Sequence, residues 1–581
     1  MNTTRRCAPT WRPVFLVAAI FTFLLPNRFL QAQTNSIPDR LPADTVFYLY
    51  WNGKNIASGP QEKNHVLQLL TDPDFAPLRD AMGKSLQSGA AKDGKAPALD
   101  FTAALSLMEN PGVFGVVLRP APREADEVGS TSPNAGAFAV YDATGKTALI
   151  EKWKALQQAK DKDAKPVTTY TYAGTSIEVR TTASGANYSA HAGKYYLYSD
   201  KKHLIEDLIR RFSSAGSPVK SVTELPEYQA IRSFMGADST AEFFGRMPDL
   251  DKVVPEDKQA TTGYLFARNL HLEKFHVVGG GVSFTGEATR FRGAILGDAS
   301  TPSIFDITGE SGNSFATLPI VNQGPLFSIF HYDLPAIYRL IRAAALEALP
   351  PDKSANIAVG EGMAQAFLGM TVDDALHLFT GEVAYKTVFA EDGNWSNMYA
   401  ITIQKPQDVL HILRAALTNK IVAEDTMGDT TFLDISYPTT DPTSGQQKRN
   451  FYYVAVAPQL LFAAPRKAMV RDAIARLKSS TGGTSTEDPL ASAELNRMRK
   501  FFPEKLSGMS AADMSNLPWD KIFLRITEQV NEAAKGSKEP PAQSTDWLKL
   551  LKPEVFSRHL HAAMSAWWKD SNGIYFDSYL Q

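Results

Sequence analysis

Two short segments of this chain carry the side chains best suited to chemistry, and they are near copies of one another. Phe-Ala-Arg-Asn-Leu-His at residues 266–271 and Phe-Ser-Arg-His-Leu-His at residues 556–561 share four of six positions. Arg268 and Arg558 are permanently charged forks that match a carboxylate or a phosphate, and His271 and His561 hold imidazoles able to pass protons near neutral pH. If the segment is extended, Phe266, Arg268 and Leu270 share one face and His271 takes the other. These four polar residues are the candidate binding residues of the chain. The structural alternative is an arginine paired with an acid of its own fold and a histidine closing a strand. Recurrence fits both readings, because a residue that a fold requires is kept in each copy.

Other motifs carry less. Ser199 and Lys202 have the Ser-x-x-Lys spacing in which a lysine activates a serine one helical turn away. Ala464 stands at the matching place in the second half, however, and the companion Ser-Asp-Asn and Lys-Thr-Gly motifs are missing, so Ser199 reads as a helix cap. His271 with His276, His559 with His561, and Asp373, Asp374 with His377 offer metal-ligand pairs without the spacing of a complete site. The glycine-rich residues 279–286 open no helix and lack the helix end that holds a phosphate; they read as a bent strand pair. Aromatic clusters at Tyr195, Tyr196 and Tyr198, at Trp567 and Trp568, and at Tyr575 and Phe576 read as sheet core, the alternative being a surface on which sugars stack or an apolar groove. No catalytic residue, metal site or cofactor is assigned.

The elements around these residues come in a repeated order. Strand, hairpin, strand and helix run through residues 188–205 and again through residues 451–470, and Pro226 and Pro489 each stand at the start of the section that leads into a Phe-x-Arg-x-Leu-His segment. Hairpin turns outnumber strand-helix-strand crossovers. The expected fold is α+β, in two tandem similar domains, each with antiparallel sheet meanders covered by helices. The boundaries are residues 1–32 for a signal peptide, 33–310 for the first domain and 311–581 for the second. Loops are expected at residues 88–97, 120–134, 479–488 and 531–545.

Composition narrows the function classes. The 581 residues are 44% hydrophobic and 21% charged, as in ordinary globular proteins. A formal net charge of −2 lacks the basic excess that phosphate backbones select, which argues against nucleic acid as a partner. Arg5, Arg6 and Arg12 precede an apolar run at residues 14–25 and Ala32 offers a cleavage position, the pattern of an exported protein. That run is shorter than the roughly 20 residues a spanning helix needs, so no transmembrane segment is expected after cleavage. Cys7 is the single cysteine and lies within this leader, which leaves the mature chain without thiols and suits an oxidising compartment.

Leu-Pro-Ala-Asp-Thr at residues 41–45 before an apolar strand, and the Tyr-x-Gly, strand, strand, helix block at residues 172–208, resemble a group of exported bacterial proteins that share a domain of unknown function. The resemblance implies a periplasmic or extracellular envelope protein and transfers no site residue. The expected function is therefore non-catalytic binding or scaffolding, with a protein or small-molecule partner in the envelope. The alternatives are a hydrolase of envelope or extracellular polymers and a carrier of an apolar ligand.

Overall fold

The computed structural model describes residues 36–581 except 54–62, 81–105, 107, 120–133, 161–165, 183–184, 214–219, 237–238, 248–260, 299–302, 304–307, 309–314, 323, 390–394, 441–446, 481–489, 491, 526–527 and 529–551. The expected signal peptide at residues 1–32 lies outside the described residues, as do the expected loops at 88–97 and 531–545 and almost all of those at 120–134 and 479–488.

The first ten strands are β1 (Thr45–Asn52), β2 (Pro111–Arg119), β3 (Asn134–Asp142), β4 (Thr168–Tyr172), β5 (Thr175–Thr182), β6 (Gly185–Ala192), β7 (Tyr195–Ser199), β8 (Ala241–Arg246), β9 (Phe275–Thr285) and β10 (Ala288–Gly297). The next ten are β11 (Leu326–His331), β12 (Phe379–Phe389), β13 (Trp395–Ile403), β14 (Ile421–Met427), β15 (Thr430–Thr440), β16 (Gln447–Val456), β17 (Leu460–Ala464), β18 (Gly508–Asp513), β19 (Ala562–Asp570) and β20 (Gly573–Leu580). All twenty belong to one sheet with antiparallel pairing. The expectation of two tandem similar α+β domains, each with its own sheet, is thereby overturned. The physical reason lies in the strand edges. Side-chain patterning marks which residues are strands, but every edge offers unpaired backbone N–H and C=O groups, and β10 uses its edge to pair with β20.

The likeness of sequence segments has a counterpart in the order of pairing. β4, β5, β6, β7, β3, β2, β1 and β8 are successive neighbours. β14, β15, β16, β17, β13, β12, β11 and β18 follow the same order. The hairpin turns use the residues expected of them: Ala173 and Gly174 both have positive φ, 48° and 77°, which a tight primed turn between twisted strands requires.

The described residues form two compact units, one of those before 120 with Asn134–Gly245 and Gly279–Arg292, the other of those within Arg246–Val278 and Gly293–Gln581. Helices α1 (Lys202–Phe212) and α2 (Pro226–Met235) belong to the first. In α1, Leu204, Ile205, Leu208, Ile209 and Phe212 form one helical stripe and are buried against β6 and β7. Ser199 does not cap this helix as expected: its hydroxyl donates to the Ala137 carbonyl at 3.0 Å and accepts from the Lys201 amide at 3.1 Å, while Lys201 holds the cap position. Lys202 turns its ammonium over the Tyr170 ring, 5.5 Å from the centroid. The glycines at 279, 280 and 281 are required by close approach, since a Cβ there meets Ile231, Phe243 and Ser239 at 2.5, 2.8 and 2.4 Å.

The second unit holds α3 (Thr262–Asn269), α4 (Leu318–Val321), α5 (Leu334–Ala348), α6 (Pro351–Leu368), α7 (Pro406–Ala416), α8 (Lys467–Ser480), α9 (Ala493–Arg499) and α10 (Glu554–His559). Helices α4 and α8 pack against one another and against the strands, and α9 packs on β18 and β19; Ile320, Val470, Ile474, Leu495 and Met498 are their buried side chains. The sheet face that alternation gives to Phe327, Ile329, Ala384, Met398, Met509 and Met564 is fully buried. On the other face, among the described residues, α7 covers the part near β15, β16 and β17, through Val409 and Leu410 on Leu433, Val454 and Leu461. Among the described residues no helix is long and apolar enough to cross a membrane.

Candidate functional site

Beyond α7, that second face carries an unusual set of side chains. Register places Tyr399, Tyr385, Ser328, Ser510, Ser565 and Ser578 directly opposite one another across β13, β12, β11, β18, β19 and β20. Successive strands lie about 4.8 Å apart, so the four serines form a transverse row of hydroxyls. The Ser328 and Ser510 hydroxyls are 2.6 Å apart and share a hydrogen bond. Ser328 is buried, whereas Ser510, Ser565 and Ser578 are half-buried.

The adjoining row reads Ile401, Val383, Phe330, Gly508, Trp567 and Phe576. Gly508 lets the Trp567 indole lie across β18, because a Cβ at that position meets the indole Cζ2 at 2.1 Å. The indole thereby stacks on Phe330, with centroids 5.1 Å apart and planes at 29°. Phe330 stacks in turn on Tyr385 at 6.0 Å, and Tyr385 meets Tyr399 at 6.2 Å. On the far side of the hydroxyls, the Thr387 hydroxyl donates to the Asn397 side chain at 2.9 Å. Tyr399 is 36% exposed and Trp395 39%. The result is a band of rings and neutral hydroxyls along the sheet, termed the trough. None of the residues in these two rows carries a carboxylate, imidazole or amine, the groups that general acid–base chemistry uses.

The four residues singled out from sequence lie elsewhere. Arg268 is exposed in the last turn of α3, and Arg558 is exposed in the last turn of α10. Both segments are helical here, so the extended reading gives way to an i, i+4 pair: the Leu270 amide bonds the Phe266 carbonyl at 3.0 Å, and the Leu560 amide bonds that of Phe556 at 2.7 Å. Leu270, Leu560 and Phe556 are buried. A cation in the final turn also faces the negative end of the helix dipole. His271 has φ 55° and leads out of α3 in the left-handed conformation. The His561 backbone pairs with Gln581 and Ser515. Neither arginine nor either histidine belongs to the trough, and no group of three or more His, Cys, Asp or Glu suited to a metal occurs among the described residues.

Two buried acids anchor the sheet. In the first unit Glu242 accepts from the Tyr48 hydroxyl at 3.0 Å, from Tyr228 at 3.3 Å and from Arg232. Burial, reinforced by the nearby carboxylate, pushes both phenols well above their ordinary range, so they remain donors. In the second unit Glu382 accepts from the Thr317 amide at 2.6 Å and from the Ala316 amide at 3.0 Å, and its carboxylate lies 3.5 Å from His331 Nε2.

Burial and Glu382 act on His331 in opposite directions, and burial wins: the imidazole pKa is lowered. The folded state then binds fewer protons than the unfolded one just below the ordinary histidine value of about 6.5. Stability contributed by neutral His331 is therefore present above that pH and is lost as pH falls through the folded pKa. His331→Gln is expected to flatten this acid-side slope in urea midpoints measured from pH 8 to pH 5. An unchanged slope would assign the dependence to other groups.

Trp567 and Phe576 belong to clusters that stand out in the sequence, whereas Ser328, Ser510, Ser565, Ser578, Phe330, Tyr385 and Tyr399 become a set only through register. A serine in each of four apolar strands was the available signal. The chain matches no protein-family model, no curated protein and no solved structure.

Proposed function

We propose that this chain is an exported, non-catalytic binding protein whose trough holds an uncharged, hydroxyl-rich ligand such as a segment of neutral glycan. The observation that supports this reading is the side-by-side placement of the serine row and the Trp567–Phe330–Tyr385–Tyr399 rings on a half-open sheet face. Flat rings pack against the C–H faces of a pyranose, while a hydroxyl both donates and accepts and so matches sugar hydroxyls without demanding charge. A phosphate or carboxylate ligand finds no counter-charge in these rows.

The test is a fluorescence titration of the chain with neutral cello-, malto- and chito-oligosaccharides. A saturable change in tryptophan emission is expected with at least one series. Trp567→Ala is expected to weaken it about 10-fold or more, the factor that loss of one stacked ring produces. Absence of saturable binding at millimolar concentration, or binding indifferent to Trp567→Ala, sinks the reading.

A further inference from the structure

Helix α6 is apolar on two faces. Its half-buried positions include Ile357, Glu361, Ala364 and Leu368, and the polar member of that face is tied down. Glu361 takes two bonds from Arg342 of α5, at 2.5 and 2.9 Å, and one from the Tyr338 hydroxyl at 2.5 Å. The opposite face presents Val359, Met363 and Phe367, at spacing i, i+4, i+8, to solvent, 59%, 68% and 58% exposed. No residue of the 18-residue helix is fully buried. An amphipathic helix buries its one apolar stripe; α6 has a second, and the ion pair with α5 holds that second stripe toward solvent.

We infer that the stripe is the centre of an interface with a second copy of this chain. The stripe is self-complementary. When two such helices cross antiparallel about a two-fold axis at Met363, Val359 of each copy meets Phe367 of the other, small against large, and the two methionines meet on the axis. Met is the side chain most able to adapt to its own image. A two-fold interface requires that one patch fit itself in this way. Antiparallel helices also set opposite dipole ends together.

Charge points the same way. Between Lys353 and the end of α6 the only charged residue is Glu361, which faces α5, so a charged partner or an anionic membrane finds no complement on the stripe. Gly360 and Gly362 have open space around them and permit close approach of another backbone.

So does area. Three large side chains at this exposure offer on the order of 400 Å² of apolar surface per copy, and two stripes about 800 Å². That is roughly half of a standard interface of about 1,600 Å². The stripe is therefore the dry core of the contact, and the polar residues around it form the rim.

Sedimentation velocity of the chain from about 1 to 100 μM tests this. A concentration-dependent dimer is expected. Met363→Glu and Met363→Lys, each placing like charges on the axis, are expected to be monomers, and an equimolar mixture of the two is expected to recover the dimer. Because Met363 is exposed, helicity stays unchanged, and the melting temperature matches that of the wild-type chain at concentrations where it is monomeric. Should either variant misfold, Val359→Lys with Phe367→Glu in one chain serves instead: it keeps the dimer across the axis, whereas glutamates at both positions abolish it. Wild-type protein that stays monomeric, mutants that still dimerise, or a mixture that fails to recover the dimer would each overturn the proposal. So would flotation of the wild-type chain with phosphatidylcholine vesicles in place of self-association.

Discussion

Replacing Glu242 with alanine is expected to lower the unfolding free energy by about 3 kcal/mol, the lower end of the cost of breaking a buried ion pair by removing one partner. The lower end applies because the Arg232 side chain is 33% exposed and water screens the charge left behind, while Glu242 is 3% exposed. The variant also strands two phenol donors, on Tyr48 and Tyr228, that point into the same carboxylate. Both lie in a packed aromatic nest with Phe244, whose centroid is 5.7 Å from that of Tyr48 and 5.6 Å from that of Tyr228, so no solvent replaces the lost acceptor. Glu242→Gln keeps an acceptor oxygen but not the charge and falls between the two. Tyr228→Phe removes one bond and costs about 1 kcal/mol. Urea unfolding gives the ranking. A loss below 1 kcal/mol for Glu242→Ala would show that the first unit does not depend on this knot.

The knot illustrates what was hidden in the sequence. Glu242 sits among Ala241, Phe243 and Phe244, and an isolated acid in an apolar strand says only that something must satisfy it. Its partners come from β1 and α2, up to 194 residues away. The strands themselves were legible, because runs such as residues 45–51 and 326–332 combine aromatic and β-branched residues with turn residues at their ends. The extent of the sheet was not, since pairing of β10 with β20 is a property of backbone edges rather than of side chains. The Phe-x-Arg-x-Leu-His segments offer an arginine and a histidine, yet the informative spacing is Phe to Leu, four residues, which is the period of a helix rather than of a strand. Conversely, Trp567 and Phe576 looked like sheet core and are half-buried members of an open face. A strand pattern says that a residue faces one side; which side α7 or α8 covers is decided by packing elsewhere in the chain.

Gly508→Ala is expected to couple stability to the binding face. The added methyl group meets the Trp567 indole at 2.1 Å, a distance no contact tolerates, and the backbone of β18 is pinned between β11 and β19. The indole therefore has to leave its place across β18, and it leaves Phe330 as well. Overpacking costs about 1 to 3 kcal/mol and loss of the ring stack adds on the order of 1 kcal/mol, so a total of about 3 kcal/mol is expected. Tryptophan emission should shift to the red as the indole enters water, and oligosaccharide affinity should fall as it does for Trp567→Ala. The decisive measurement is the double mutant. If the indole is what the methyl group strikes, Gly508→Ala in a Trp567→Ala background costs little, and the interaction energy between the two sites is most of the single-mutant effect. Equal cost in both backgrounds would mean that Gly508 serves the backbone of β18 rather than the trough. The hydroxyl row would then have lost the argument that its aromatic neighbour is held in place by design of the strand beneath it.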